Sequence, residues 1–193
     1  GLVPNDETQV SGHTQEEIAL WDEIANDNNF FELIKDATKD VLTDGDGAFK
    51  ISIDTDLCKY PINEFYSGTN VDYEYRRGRL IEIIFKTQYS DDKNVSYYLQ
   101  EYYGKGYVRY KLFNDAEVPL DTLEETKDLQ EVTFNGDYIM AVPLRFFKSS
   151  KYKNRGQSIL DGKYDSFDAL DEIVSQWLDA IRLGRAEKFI PED

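Results

Sequence analysis

The feature that most restricts how this chain can fold lies in its last third. Residues 138–147 are mostly apolar, residues 148–155 carry four lysine or arginine side chains, and a Gly-Gln-Ser turn follows. Apolar side chains then recur at spacings of three and four, which predicts an amphipathic helix over residues 165–184. They are Phe167, Leu170, Val174, Trp177 and Ile181. Such a stripe either packs into a core or forms a seam between subunits.

The beginning of the chain predicts a polar end followed by helices. Residues 1–13 are polar and aperiodic, so we expect a mobile end. Thr14 and Glu17 have the spacing of a capping box, in which a hydroxyl and a carboxylate satisfy each other's backbone amides. The short polar side chains of residues 26–29 then compete for backbone hydrogen bonds. We therefore expect two helices, separated by a break, within residues 14–43.

Alternation and turn signals predict a mainly β region over residues 47–147. Phe49, Ile51 and Ile53 alternate with polar residues, as expected of a half-buried strand. Gly-Lys-Gly at residues 104–106 predicts one hairpin, and Asn-Gly within Phe-Asn-Gly-Asp predicts a second near residue 135. The predicted fold class is α+β: N-terminal helices, an antiparallel β meander with hairpins, and the C-terminal amphipathic helix. Residues 14–193 are expected to form a single domain.

The composition is that of a folded, acidic protein. Hydrophobic residues make up 40% of the chain and aromatic residues 14%, which exceeds what disordered segments contain. The formal net charge of −16 argues against a surface that binds nucleic acid by neutralising its phosphates. Ordinary solubility is sufficient to explain it.

The chain has few of the residue types that common active sites require. Cys58 is the only cysteine and His13 the only histidine, so no disulfide, standard zinc site or histidine-based triad is expected. Asp-Gly-Asp-Gly at residues 44–47 departs from the calcium-loop pattern and predicts a tight turn. No stretch has the length of a membrane span or the pattern of a signal peptide. We expect no catalytic residue, metal or cofactor.

Two basic clusters are the candidate contact sites in this acidic chain. Pairing with an acidic surface, within the chain or on a neighbouring subunit, suits the net charge better than phosphate binding does. The candidate residues for intersubunit or DNA contacts are Arg76, Arg77, Arg79, Lys148, Lys151, Lys153 and Arg155.

Two stretches of the chain resemble a known family. The first is Val-Pro-Leu-Arg-Phe-Phe at residues 142–147, followed by a basic loop, Gly-Gln-Ser-Ile at 156–159 and a helix carrying Leu170, Asp171 and Ser175. This order resembles the middle of the portal proteins of tailed bacteriophages. The second stretch, residues 40–51, is similar to the segment that those proteins carry before their peripheral β region. Together the stretches cover roughly half of the chain.

The resemblance implies a structural, non-enzymatic component of a phage or prophage virion. Such a subunit forms a ring with other copies of itself at one capsid vertex, through which DNA is packaged and ejected. The implied partners are the terminase, the head-completion proteins and DNA that passes through the channel without sequence-specific binding. No membrane is involved. The implied location is the virion, and the host bacterial cytoplasm during assembly.

The resemblance also implies a place for each region. The strands would belong to the outward-facing wing domain and the helix at residues 165–184 to the adjoining central region. The chain ends soon after that helix, so the resemblance implies a fragment without the later stem, clip and crown segments. Such a fragment should expose apolar surface that contacts other subunits in the ring.

Two other functions are compatible with the residues. One is a non-catalytic α+β binding module, because tyrosines supply rigid contact area with a polar tip. Its recognition face would consist of Tyr97, Tyr98, Tyr102, Tyr103, Tyr107 and Tyr110. The other is a carboxylate-dependent hydrolase, which requires two converging acids in a concave site, one of them with a raised pKa.

Overall fold

A computed structural model describes residues 14–186, with side chains described to residue 184. The predicted mobile end, residues 1–13, lies outside the described residues. The chain divides into two compact units, Gly1–Ser158 and Ile159–Asp193. The single domain expected over residues 14–193 stays a prediction.

The first unit begins with two helices, α1 (Gln15–Asp27) and α2 (Phe30–Asp44). The predicted capping box is confirmed: the Thr14 hydroxyl accepts a hydrogen bond from the Glu17 amide at 3.3 Å, and the Glu17 carboxylate accepts one from the Thr14 amide at 3.0 Å. The predicted break is also confirmed, since Asn29 adopts a left-handed conformation with φ of 46°, which asparagine tolerates better than most residues.

The strands form two antiparallel sheets. In the described part of the chain they are β1 (Asp46–Ser52), β2 (Ile62–Ser67), β3 (Val71–Arg76), β4 (Arg79–Ser90), β5 (Ser96–Gly104), β6 (Tyr107–Asn114), β7 (Ala116–Val118), β8 (Val132–Thr133) and β9 (Ala141–Arg145). The first sheet has the order β2-β1-β9, and the second has the order β3-β4-β5-β6-β7, with β8 paired to β6. The predicted α+β class is therefore confirmed.

One of the two predicted hairpins is confirmed and the other is wrong. Strands β5 and β6 pair across Lys105 and Gly106, with Gly104 opposite Tyr107. The Asn-Gly pair near residue 135 joins β8 to β9, which belong to different sheets. The segment after β8 thus carries the chain from the second sheet back to β1, because β9 extends the first sheet there.

The core of the first unit lies where the two sheets meet. Phe85 and Tyr103 of the second sheet are almost completely buried, as is Ala48 of β1. The Phe85 ring packs edge-on against the rings of Tyr66 and Tyr103, with centroids 5.2 and 5.1 Å away. Helix α2 packs on β1 and β2, and Asn28 at the end of α1 bonds Pro61 O and the Asn63 amide.

The inward face of β1 differs from the prediction. Alternation predicted that Phe49, Ile51 and Ile53 would point inward, but Ile53 is 68% exposed while Lys50 is only 5% exposed. The reason is that β1 has neighbours on both faces, and its Ala48–Lys50 face lies against the second sheet. A charged side chain on the buried face therefore requires a partner, which is described below.

The second unit contains α3 (Tyr164–Ala186). Its bounds confirm the predicted C-terminal helix. The apolar stripe along it is exposed throughout: Phe167 at 48%, Leu170 at 54%, Val174 at 43%, Trp177 at 66% and Ile181 at 41%.

Candidate functional site

The first stretch that carries the resemblance, residues 40–51, meets the beginning of the second stretch, residues 142–156, in the first unit. Strand β1 pairs with β9, with Gly47 opposite Leu144 and Phe49 opposite Val142. The loop after β9 then returns to the first residue of β1, Asp46. Residues separated by about a hundred positions in the sequence thus form one structural element, which we call the β1–β9 junction.

An ion pair between Asp46 and Arg155 closes the β1–β9 junction. The Asp46 side chain is only 3% exposed. Its two oxygens accept hydrogen bonds from Arg155 Nε at 3.0 Å and Arg155 Nη2 at 2.9 Å. The Gly156 amide donates a further bond at 2.5 Å. This two-point geometry is the strong form of the arginine–carboxylate interaction, and it fixes the direction of the loop.

The same guanidinium also holds the start of β3. Arg155 Nη1 donates to Val71 O at 2.8 Å, and Nη2 donates to Gly68 O. The guanidinium carbon lies 5.3 Å from the centroid of the Tyr73 ring, and the Tyr73 hydroxyl donates to Gly47 O at 2.7 Å. Burial, reinforced by the Asp46 charge, raises the pKa of Tyr73. Arg155 therefore joins the start of β1 to the start of β3 and to Gly68, which lies between β2 and β3.

Two glycines make this close approach possible. A Cβ atom at Gly156 would lie 2.0 Å from Gly45 O, and one at Gly68 would lie 2.1 Å from Asp46 Oδ1. Sequence reasoning assigned Asp46 only to a tight turn and did not identify it as the partner of Arg155. The signal available was the acidic residue at the start of a buried strand, where a charge requires compensation.

The structure separates Arg155 from the other six candidate contact residues. Arg155 is engaged within the chain by Asp46, whereas the others have exposed positions. Arg76, Arg77 and Arg79 lie at the turn between β3 and β4, and Lys148, Lys151 and Lys153 lie in the loop after β9. A role for these residues in contacts with DNA or neighbouring subunits stays a prediction.

A cleft of about 540 Å³ opens between the two sheets. Lys50 lies at its base, with Nζ 2.7 Å from Glu101 Oε1 and 3.4 Å from Glu64 Oε2. The ammonium also lies 4.7 Å from the centroid of the Tyr66 ring. Burial alone would lower the pKa of Lys50, but the charge and hydrogen bond of Glu101, with the charge of Glu64, outweigh burial and raise it. Lys50 therefore stays charged at neutral pH.

This arrangement favours charge neutralisation over acid–base chemistry. A hydrolytic pair needs one protonated carboxyl and one carboxylate facing a substrate bond. Glu64 and Glu101 instead face the ammonium of Lys50. Among residues 14–186 no group of His, Cys, Asp and Glu side chains has the arrangement of a metal site.

The six tyrosines of the binding-module hypothesis do not share one face of the second sheet. Strand alternation and register place Tyr97, Tyr103 and Tyr110 on the face toward the first sheet, and Tyr98, Tyr102 and Tyr107 on the opposite face. Tyr103 is 1% exposed and belongs to the core. The tyrosine rings that line the cleft are those of Tyr66, Tyr89 and Tyr110.

The opposite face carries a second buried carboxylate. Glu82 is 7% exposed and accepts hydrogen bonds from the Tyr107 hydroxyl at 2.7 Å and from Arg109 Nη2 at 2.9 Å. Burial is the main cause of the raised pKa of Tyr107, and its bond to Glu82 adds to it. This cluster joins β4 to β6 across β5, which is a structural role.

Comparisons with other proteins leave the chain without an assigned family. No protein-family model matches it, and no curated protein sequence matches it at a significant level. Within the described residues, none of the helices combines the length and apolar character that crossing a lipid bilayer requires.

Proposed function

We propose that this chain is part of a portal subunit of a tailed phage or prophage, a structural and non-catalytic component. In this proposal the two sheets belong to the wing and α3 to the adjoining central region. Other copies of the subunit, the terminase and the head-completion proteins are the partners, and DNA passes through the channel without sequence-specific binding.

The observation that carries the proposal is the β1–β9 junction. The two stretches that resemble portal proteins lie far apart in the sequence, at residues 40–51 and from residue 142 onward. In the fold they pair as neighbouring strands and are joined by the Asp46–Arg155 ion pair. Segments that build one element together are expected to occur together in a family, which favours a common origin for both resemblances.

The exposed stripe of α3 supports a role in an assembly. Soluble proteins seldom leave a contiguous row of large apolar side chains in water, and such rows commonly mark protein contacts. Here the row includes Trp177 at 66% exposure and Leu170 at 54%. A ring subunit would cover these side chains with other parts of the assembly, as expected from the resemblance.

The assembly role can be tested on the gene product that contains this chain. We expect wild-type particles measured by mass photometry to have the mass of a ring of many subunits. Trp177→Asp places a charge in the apolar stripe and should shift the mass toward single subunits. The control is Tyr98→Asp, which alters a side chain that is 47% exposed on the second sheet and should leave the mass unchanged.

The result identifies which part of the proposal fails. A wild-type gene product that stays a single subunit at all concentrations would contradict the ring. If Trp177→Asp still forms the ring, the portal proposal stands, and the role of α3 in the assembly is contradicted.

A further inference from the structure

We propose that the cleft between the two sheets binds an aliphatic amine, that is, an ammonium group on an apolar stem. This inference goes beyond the portal proposal and does not depend on it. It rests on the size, the charge and the aromatic lining of the cleft, all within the first unit.

The cleft has the dimensions of a small-molecule site. Its volume of about 540 Å³ lies within the range of roughly 300–1,000 Å³ that is usual for ligand pockets. Strands of both sheets form its base. The loop after β1 and the segment between β7 and β8 form its rim, where Ile53 and Leu57 are exposed to solvent.

The lining carries an excess of negative charge. Its carboxylates are Asp54, Glu64, Glu101 and Glu125, against a single ammonium, that of Lys50. Glu101 is neutralised by Lys50 at 2.7 Å. Glu64 lies farther away, at 3.4 Å, and its side chain is 41% exposed. Within the described residues, Glu125 has no ion pair. An anionic ligand would be repelled by this lining, and a cation would be attracted.

The cleft already stabilises one ammonium group, which shows the chemistry that it favours. Lys50 Nζ lies between two carboxylates and above the ring of Tyr66. An aromatic ring attracts a cation through the negative charge of its face. Tyr89 and Tyr110 supply further rings in the lining, and Glu64 and Glu125 supply carboxylates nearer to solvent. A second ammonium therefore finds the same kinds of group in the lining of the cleft.

Apolar side chains at the rim fit the stem of such a ligand. Ile53 and Leu57 are 68% and 74% exposed although they line the cleft. Leu129 lines it from the segment between β7 and β8. An alkyl chain laid along these side chains would remove them from water, which is favourable. The combination of carboxylates with an apolar rim favours an alkyl ammonium over a bare metal cation, because a metal cation gains nothing from apolar side chains.

The test uses the whole 193-residue chain, labelled with ¹⁵N and titrated with cadaverine at constant ionic strength. We expect saturable shifts of amide resonances in residues 52–57 and at Glu64 and Tyr89. The neutral analogue 1,5-pentanediol, which has the same five-carbon stem with a hydroxyl at each end, should produce none of these saturable shifts. Titration with sodium chloride separates binding from general screening.

Variants identify the groups that recognise the cation. Glu64→Gln combined with Glu125→Gln should weaken cadaverine binding about fivefold or more, the loss expected for exposed ion pairs. If Glu64→Gln disturbs Lys50, Glu125→Gln alone still measures how a carboxylate of the cleft contributes to cadaverine binding. The matched control is Glu117→Gln, because Glu117 pairs with Lys111 and lies outside the cleft; it should leave the affinity unchanged.

Two probes distinguish the source of the amine. Saturable binding of Nα-acetyl-lysine methylamide as well as cadaverine would identify a lysine side chain of a protein as an occupant. Binding of cadaverine alone would identify a free polyamine. The proposal is overturned if neither amine gives saturable shifts, if 1,5-pentanediol gives the same shifts, or if Glu117→Gln weakens binding as much as the cleft variants do.

Discussion

The apolar side chains of the two sheets and those of α3 have opposite surroundings. Phe85 in the second sheet is completely buried between Tyr66 and Tyr103, whereas Phe167 in α3 is 48% exposed. Both belong to regular apolar patterns in the sequence. The difference shows that periodicity identifies an apolar face but does not identify what covers that face. In the sheets the chain itself covers the apolar side chains, and for those of α3 we propose a partner.

Truncation of Phe85 and of Phe167 should give the largest difference in the free energy of unfolding. Phe85→Ala should lower the free energy of unfolding by about 3–5 kcal/mol, because it leaves a cavity in the core. Phe167→Ala should change it by less than about 0.5 kcal/mol, as exposed positions usually do. Urea denaturation of the two variants measures both effects. An equal loss at Phe167 would show that the stripe of α3 is packed in the isolated chain.

A second contrast concerns two lysine–glutamate pairs. Glu101→Ala leaves Lys50 buried without its nearest carboxylate and should cost about 3 kcal/mol, since breaking a buried pair leaves a charge uncompensated. Glu117→Ala removes the exposed partner of Lys111 and should cost about 1 kcal/mol at most. The same denaturation assay compares them. Similar costs would mean that water reaches Lys50 and replaces Glu101.

The β1–β9 junction provides a third contrast. Arg155→Ala should lower the free energy of unfolding by about 2 kcal/mol, because the buried Asp46 carboxylate loses its charged donors. It should also speed amide hydrogen exchange at Gly156. The control is Arg79→Ala at the exposed β3–β4 turn, with an expected effect within about 0.5 kcal/mol. Unchanged exchange in Arg155→Ala would show that the loop does not depend on this ion pair.

The smallest expected change in the free energy of unfolding is confined to high pH. Burial is the main cause of the raised pKa of Tyr103, and the Glu101 charge adds to it. The folded state therefore holds the Tyr103 proton more strongly than the unfolded state, whose tyrosines titrate near pH 10. Stability from this residue is complete below that pH and is lost as the pH rises above it. Lys50, with its raised pKa, acts in the same direction.

Tyr103→Phe isolates the tyrosine contribution. Between about pH 10 and 11, the free energy of unfolding of the variant should fall less steeply with pH than that of the wild type. The two slopes should differ by up to about 1.4 kcal/mol per pH unit. Tyr98→Phe is the control, because Tyr98 is 47% exposed. Parallel curves for the wild type and Tyr103→Phe would contradict a buried, neutral hydroxyl at this position.

Local patterns in the sequence were sufficient for the elements of the fold. The capping box of Thr14 and Glu17, the break at Asn29 and the bounds of α3 follow from interactions between residues that are near in sequence. The α+β class follows from the order of these elements. Each of these features is set by the backbone and by neighbouring side chains, so a single sequence contains the necessary signal.

The long-range contacts could not be predicted in the same way. The Lys50–Glu101 pair joins residues 51 positions apart, and the Asp46–Arg155 pair joins residues 109 positions apart. Alternation with Phe49 and Ile51 predicts the solvent side of β1 for Lys50, where lysine usually lies. The placement of β8 and β9 in different sheets could not be predicted, because the Asn-Gly signal describes a turn and not the strands that it joins.

Electron microscopy of the gene product that contains this chain would decide whether the portal proposal holds. We expect rings with a central channel, in which the Trp177 face of α3 is covered by protein. Isolated globular particles, with that face in solvent, would contradict it.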